Sequence, residues 1–90
     1  MEMGRNSIRI DPADNVAVAL LEIREGEVLV CAGCKGVNAR ETIRKNHKVA
    51  VAEIPAGEAV IKYGEAIGRA ARAVKAGEWV HTHNLKPEDG

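Results

Sequence analysis

Lys48-Val49-Ala50-Val51-Ala52-Glu53, followed by Pro55-Ala56-Gly57-Glu58-Ala59-Val60, carries the reading of the fold. Asn15-Val16-Ala17-Val18-Ala19-Leu20, followed by Arg24-Glu25-Gly26-Glu27-Val28, repeats it. A third copy keeps only the end, Val74-Lys75-Ala76-Gly77-Glu78-Trp79-Val80. Each copy predicts a short strand, a tight turn closing on Gly-Glu and a second strand opening on an apolar residue. Pro55 presets φ for the second turn residue, and Gly57 suits the left-handed position of a short hairpin loop with a bulge. Gly26 and Gly77 stand at equivalent places. One hairpin alone is marginal in water, so such copies are expected to pack as pseudo-symmetric hairpins. The expectation is a mostly β, small domain.

Two segments admit helical readings. Ala66 to Ala76 is rich in Ala, Arg and Lys, but Gly68 costs a helix about 1 kcal/mol. The downstream Gly-Glu copy favours a strand from Ile67 to Val74. Asn38 to Asn46 is expected to form one or two helical turns, with Asn38 as N-cap and Glu41 as its capping-box partner. The polar ends, Met1 to Asn6 and Lys86 to Gly90, are expected to fray.

Composition bounds the function. Ninety residues make one domain, 1–90, with a core at about 8–85. Thirteen basic residues balance thirteen acidic ones, which argues against non-specific nucleic-acid or anionic-membrane binding. The apolar share is 46%, yet Tyr63 and Trp79 are the only aromatic residues. A core of Ala, Val and Ile is thin, and a chain this size buries only about 60–65% of its unfolded surface. Completion against a partner is expected. No apolar run approaches the ~20 residues of a membrane span, and Met1-Glu2-Met3-Gly4-Arg5 opens no signal-peptide core. A cytoplasmic location is the default.

The residues that can carry chemistry are few. His81-Thr82-His83 sets two imidazoles on one face of an extended strand, where they can share a divalent metal with His47 as third ligand. A surface pair at the end of the last strand is the plainer reading. Lys48, Lys62 and Arg69 are candidate clamps for a carboxylate. Asp11 and Asp14 flank Pro12 as turn caps. Cys31-Ala32-Gly33-Cys34 reads as a Gly-rich turn with two free thiols; half a metal site and a redox dithiol are the alternatives. No phosphate loop, Ser-His-Asp order or EF-hand pattern is present.

Taken in order, these strings bring a family into view: Asp11 to Leu20, His47-Lys48-Val49-Ala50, Ile54 to Gly64 with its Lys62-Tyr63-Gly64, Ile67-Gly68-Arg69-Ala70, and Ala76 to Asn84 with its His81-Thr82-His83-Asn84. The series closely resembles the N-terminal, SAF-type domain of the altronate and galactarate dehydratase family, over roughly residues 8 to 85. It departs at Asp11, where family members often carry His, and at Cys31 to Asn46, which lies outside the shared pattern. The resemblance implies a β-clip fold. It also implies a lyase that abstracts a proton α to a carboxylate and expels water, or in a related branch sulfite. A divalent metal, typically iron(II), belongs to such enzymes. Their larger catalytic domain is not in this sequence, so the expected role is a small subunit working with a separate large catalytic subunit on an acidic sugar or other hydroxy acid. On this chain the resemblance points to His81, His83 and His47 as metal or substrate ligands. Lys48, Lys62 and Tyr63 would face the substrate, with Asn15 and Asn84 as hydrogen-bonding candidates. The alternative is a non-catalytic SAF-type module that binds sugar acids.

Overall fold

Tight turns organise this chain, and there are four of the repeated kind rather than three. In each, the N–H of the fourth residue donates to the carbonyl of the first: Glu27 to Arg24 (2.9 Å), His47 to Arg44 (3.0 Å), Glu58 to Pro55 (3.0 Å) and Glu78 to Lys75 (3.0 Å). The third residue has positive φ every time: Gly26 at 90°, Asn46 at 73°, Gly57 at 85° and Gly77 at 94°. That geometry is a type II turn, which explains Gly at three positions and Asn at the fourth. Pro55 therefore opens its turn instead of taking the second place.

Each turn docks on a buried alanine. The third-residue N–H donates to Ala39, Ala19, Ala70 or Ala50, and that alanine's N–H returns a bond to the fourth-residue carbonyl. Ahead of each turn stands a fully buried branched residue. Ile23 bridges Ile43, and Ile54 bridges Val74. Residues 19–48 thus reappear 31 positions on as residues 50–79, with Ile23–Ile43 and Val28–Asn38 matched by Ile54–Val74 and Ala59–Arg69. A bulkier side chain at the four alanines would hold the turns away, so the alanine-rich composition follows from backbone-to-backbone docking.

The computed structural model describes residues 4–87 and contains no helix among them. Seven strands form two antiparallel sheets. The first has the order β1 (Ser7–Ile8), β2 (Val16–Ala19), β3 (Lys48–Ala50), β6 (Trp79–Val80). The second runs β4 (Ala59–Lys62), β5 (Glu65–Ala70), β7 (Leu85–Pro87). One core cluster gathers Ile23, Leu29, Ile43 and Val49 around Ala17 and Ala19; the other gathers Val16, Ile54, Val60, Val74 and Val80. This is the architecture of a small β-clip domain. No helix among the described residues is long and apolar enough to cross a membrane.

Several expectations are corrected. The repeated turns do not close hairpins, because their flanking residues pair with distant partners. The turn joining β4 to β5 is Lys62-Tyr63-Gly64-Glu65, with φ 56° at Tyr63 and 79° at Gly64. Two left-handed residues give the twist that adjacent strands need, and a type II turn does not. The strand placed at Ile67 to Val74 runs instead from Glu65 to Ala70. Asn38 to Asn46 is not helical: Asn38 bridges Val28, Ile43 bridges Ile23, and Asn46 closes a turn. Cys31 and Cys34 are not free thiols but a pair, with Cα atoms 5.2 Å apart across their turn. Of the ends expected to fray, Met1 to Met3 and 88–90 lie outside the described residues. Asn6 is held: its amide donates to Val28 O and accepts from Val30 N, both at 2.8 Å. Lys86 and Pro87 pair within β7, where Gly68 allows the approach, since a Cβ there would overlap the Lys86 carbonyl.

The fourth turn yields a test. Asn46→Gly is expected to stay within about 1 kcal/mol of the parent, and Asn46→Val to cost about 2 kcal/mol, in urea titrations. Equal effects would remove the left-handed turn from residue 46.

Candidate functional site

Strand pairing assembles the site. β6 lies beside β3 with Val49 opposite Trp79 and Lys48 opposite Val80, which brings the Trp79 indole against His47, the last residue of the fourth turn. The indole Nε1–H donates to His47 Nδ1 at 3.0 Å. Beneath it, the Glu41 carboxylate accepts the Trp79 backbone N–H at 3.1 Å, so Glu41 braces Trp79 instead of capping a helix.

After Val80 the chain turns instead of extending. Asn84, fully buried, accepts from His81 N–H at 2.9 Å and donates its amide to the Trp79 carbonyl at 2.8 Å. His81 and His83 therefore do not sit side by side on a strand. They converge on the indole: His81 stacks on it with ring centroids 5.1 Å apart and 12° between planes, and His83 tilts against it at 4.9 Å. His47 and His81 are 5.2 Å apart. All three histidines thus meet around one half-buried tryptophan.

A groove of about 360 Å³ opens beside them, lined by Thr42, Arg44, His47, Trp79 and His81. The flank is cationic. Burial, and then the neighbouring Lys62, push the Lys48 ammonium below its ordinary pKa. The Lys62 ammonium lies 5.1 Å from the centre of the Tyr63 ring at the exposed β4–β5 tip. Among the described residues no carboxylate forms an ion pair with Lys48, Lys62 or Arg44. Arg69 is placed elsewhere, donating to the Gly57 carbonyl at 3.1 Å.

The remaining candidates support structure. Asn15 uses its whole amide on β4, donating to Ala59 O at 2.9 Å and accepting from Ile61 N at 2.8 Å. Asp14 caps turns as expected, with oxygens accepting from Gly64, Asp11 and Ile10 N–H groups. Burial alone would raise its pKa, but these backbone donors outweigh it and hold the carboxyl below the usual 3.8. Asp11 accepts from Ala13 N–H.

The imidazoles do not by themselves house a metal. An indole N–H only donates, so neutral His47 must carry its proton on Nε2 and presents no lone pair there. His81 and His83 remain as two nitrogen donors. Among the described residues no three His, Cys, Asp or Glu side chains converge as ligands. The arrangement instead offers N–H and ammonium donors to an anion.

His81 gives a pH signature. Desolvation, followed by the charges of His47, Lys48 and His83, lowers its pKa below 6.5. The unfolded chain then binds a proton that the folded chain resists. Stability is expected to fall as pH drops below 6.5 towards the folded value, and His81→Gln should flatten that dependence. A bound carboxylate should move the His81 titration upward in an NMR series. An unmoved titration would separate His81 from the anion site.

Comparison with known proteins gives the family. Residues 5–88 match the family model described as the altronate/galactarate dehydratase SAF domain. The chain is 42% identical over 79 residues to altronate dehydratase of Escherichia coli (strain K12), covering 88% of this chain and 16% of that enzyme. It is 35% identical over 82 residues to altronate dehydratase of Bacillus subtilis (strain 168), covering 91% of this chain and again 16% of the enzyme. It is also 44% identical over 50 residues to (2R)-sulfolactate sulfo-lyase subunit alpha of Paracoccus pantotrophus, covering 56% of this chain and 75% of that subunit. The chain thus spans about a sixth of the length of the dehydratases it matches.

Proposed function

The chain belongs to the altronate/galactarate dehydratase SAF-domain family, and from that membership we propose that it is the substrate-facing small subunit of a lyase. It acts with a separate large subunit to eliminate water or sulfite from a hydroxylated acid. The observation that carries this reading is the uncompensated cationic face, in which half-buried Lys48 sits near Lys62 and beside the three imidazoles gathered on Trp79.

The chemistry asks for such a face. Removing the proton α to a carboxylate spreads charge onto the carboxylate oxygens, and preorganised donors in a partly dry site stabilise that charge. Lys48 and Lys62 would hold the carboxylate, with the His47 Nε2–H as a neutral donor beside them. His81 and His83 would line the path of the departing group. The base is assigned to the large subunit. The divalent iron that the resemblance implies does not fit these imidazoles alone, so it too is assigned there.

Reconstitution with the large subunit of a family enzyme, assayed on altronate, galactarate and sulfolactate, tests the reading. Turnover should need both chains. Lys48→Met should raise KM by about ten-fold or more, the loss of one charge-assisted hydrogen bond. Full activity of the large subunit alone would overturn it. Calorimetric binding of the acids by the pair, with no turnover, would favour a non-catalytic binding module.

A further inference from the structure

The 31-residue duplication gives the Lys62-Tyr63-Gly64-Glu65 tip a counterpart in the first half: Cys31-Ala32-Gly33-Cys34. The two tips share a left-handed third residue, with φ 80° at Gly33 and 79° at Gly64, and differ at the second, where Tyr63 is left-handed at 56° and Ala32 is not. Where the second tip carries Lys62 and Glu65, the first carries the paired Cys31 and Cys34. The Cys34 N–H donates to the Cys31 carbonyl at 3.1 Å and the Cα atoms stand 5.2 Å apart, within the span a disulfide needs. Cys31 is half-buried and Cys34 is buried, at 8% exposure.

A guanidinium attends this tip. Arg9 donates to the Ala32 carbonyl at 3.2 Å, and its guanidinium fills the space where a side chain at residue 33 would begin. Its other bonds go to the carbonyls of Asp14 (3.0 Å) and Pro12 (2.5 Å), and among the described residues no carboxylate pairs with it. A guanidinium without a counter-ion, held on the backbone between the two cysteines, favours the thiolate, the reactive form. The same Asp11–Asp14 turn reaches the other tip, where Asp14 accepts from Gly64 N–H at 2.8 Å.

We propose that Cys31 and Cys34 form a reversible thiol–disulfide site that reacts with low-molecular-weight disulfides, and that Arg9 and Asp14 carry its state to the Lys62–Gly64 tip. The half-buried Cys31 thiolate attacks one sulfur of the small disulfide, forming a mixed disulfide and releasing one thiolate. The Cys34 thiolate then attacks the Cys31 sulfur and releases the second. Two protein thiols are oxidised, the small disulfide is reduced to two thiols, and the protein's two protons pass to them.

The site rests on placement and charge, independently of the lyase reading. Full-length reduced protein is titrated with glutathione at increasing oxidised fraction, quenched by alkylation and weighed. The parent should lose two titratable thiols together without accumulating an adduct. Cys34→Ser should stop as the glutathione mixed disulfide on Cys31. Cys31→Ser should gain adduct far more slowly. Arg9→Gln should slow the first step about three-fold, the net effect of fewer thiolates and a more basic nucleophile. A parent that keeps both thiols in fully oxidised glutathione, or equal adduct formation in the two serine variants, would overturn the site. The Gly64 amide resonance should shift between the reduced and oxidised parent, and an unmoved resonance would overturn the coupling.

Discussion

Gly77→Ala is expected to destabilise the domain by about 3–4 kcal/mol, several times the cost of the same change at Gly26. Both residues hold the third place of a repeated turn, at φ 94° and 90°, so backbone strain is common to both. Their surroundings differ. A Cβ at Gly26 meets nothing within 4 Å, whereas one at Gly77 would overlap the Asn38 carbonyl and press on Arg40 Cγ at 3.1 Å. Gly77 is where the halves touch: its N–H donates within its own half to Ala50 O at 2.7 Å, and its carbonyl accepts from Arg40 N of the first half at 2.9 Å. Relief would require parting the halves. With about 4–8 °C lost per kcal/mol in a domain this size, Gly77→Ala should melt roughly 12–30 °C below the parent. Similar melting points for the two variants would show that strain alone matters and that the halves are not held at residue 77.

Asn84→Ala should cost about 2–4 kcal/mol and remove the histidine cluster with it. The buried amide satisfies the His81 N–H and the Trp79 carbonyl, and truncation leaves both without partners. The Asn84 backbone carbonyl also accepts from Ala71 N at 2.9 Å, tying the turn to the residue after β5. Asn84→Asp keeps the acceptor but sets a carboxylate against the Trp79 carbonyl, so it should not rescue. Trp79 is the sole tryptophan, and its emission reports whether His81 and His83 still pack on it. Unchanged emission in a stable Asn84→Ala variant would mean that the turn holds without its amide. In the reconstituted enzyme the same variant should lose acid binding while the large subunit stays intact.

Sequence patterning exposed the repeat at three Gly-Glu pairs, residues 26–27, 57–58 and 77–78. It missed the fourth copy because Asn46-His47 stands there instead, and Asn also serves a left-handed turn. That substitution is where the site begins, since the residue replacing Glu is the histidine that receives the Trp79 indole. The ordered motif series was enough to reveal the β-clip and the family. Pairing was not legible, because a turn's type II or primed geometry depends on which strands flank it. The convergence of His47 with His81 and His83 was hidden for a similar reason. It is produced by the β3–β6 register and by Asn84, neither of which leaves a periodic trace. The amides of Asn15 and Asn84 read as ligands in the chain, yet in the fold they hold backbone.

The docking of each turn on an alanine far along the chain also sets a timescale. Gly26 waits for Ala39, Asn46 for Ala19, and Gly77 for Ala50, so the chain must close long loops before most of its bonds can form. The β4–β5 hairpin joins near neighbours, and its tip is preset by two left-handed residues. Such a topology is slow: milliseconds to seconds rather than the microseconds of helical domains. The hairpin that presents Lys62 and Tyr63 is then among the early structures to appear, and the Trp79–histidine face is among the last.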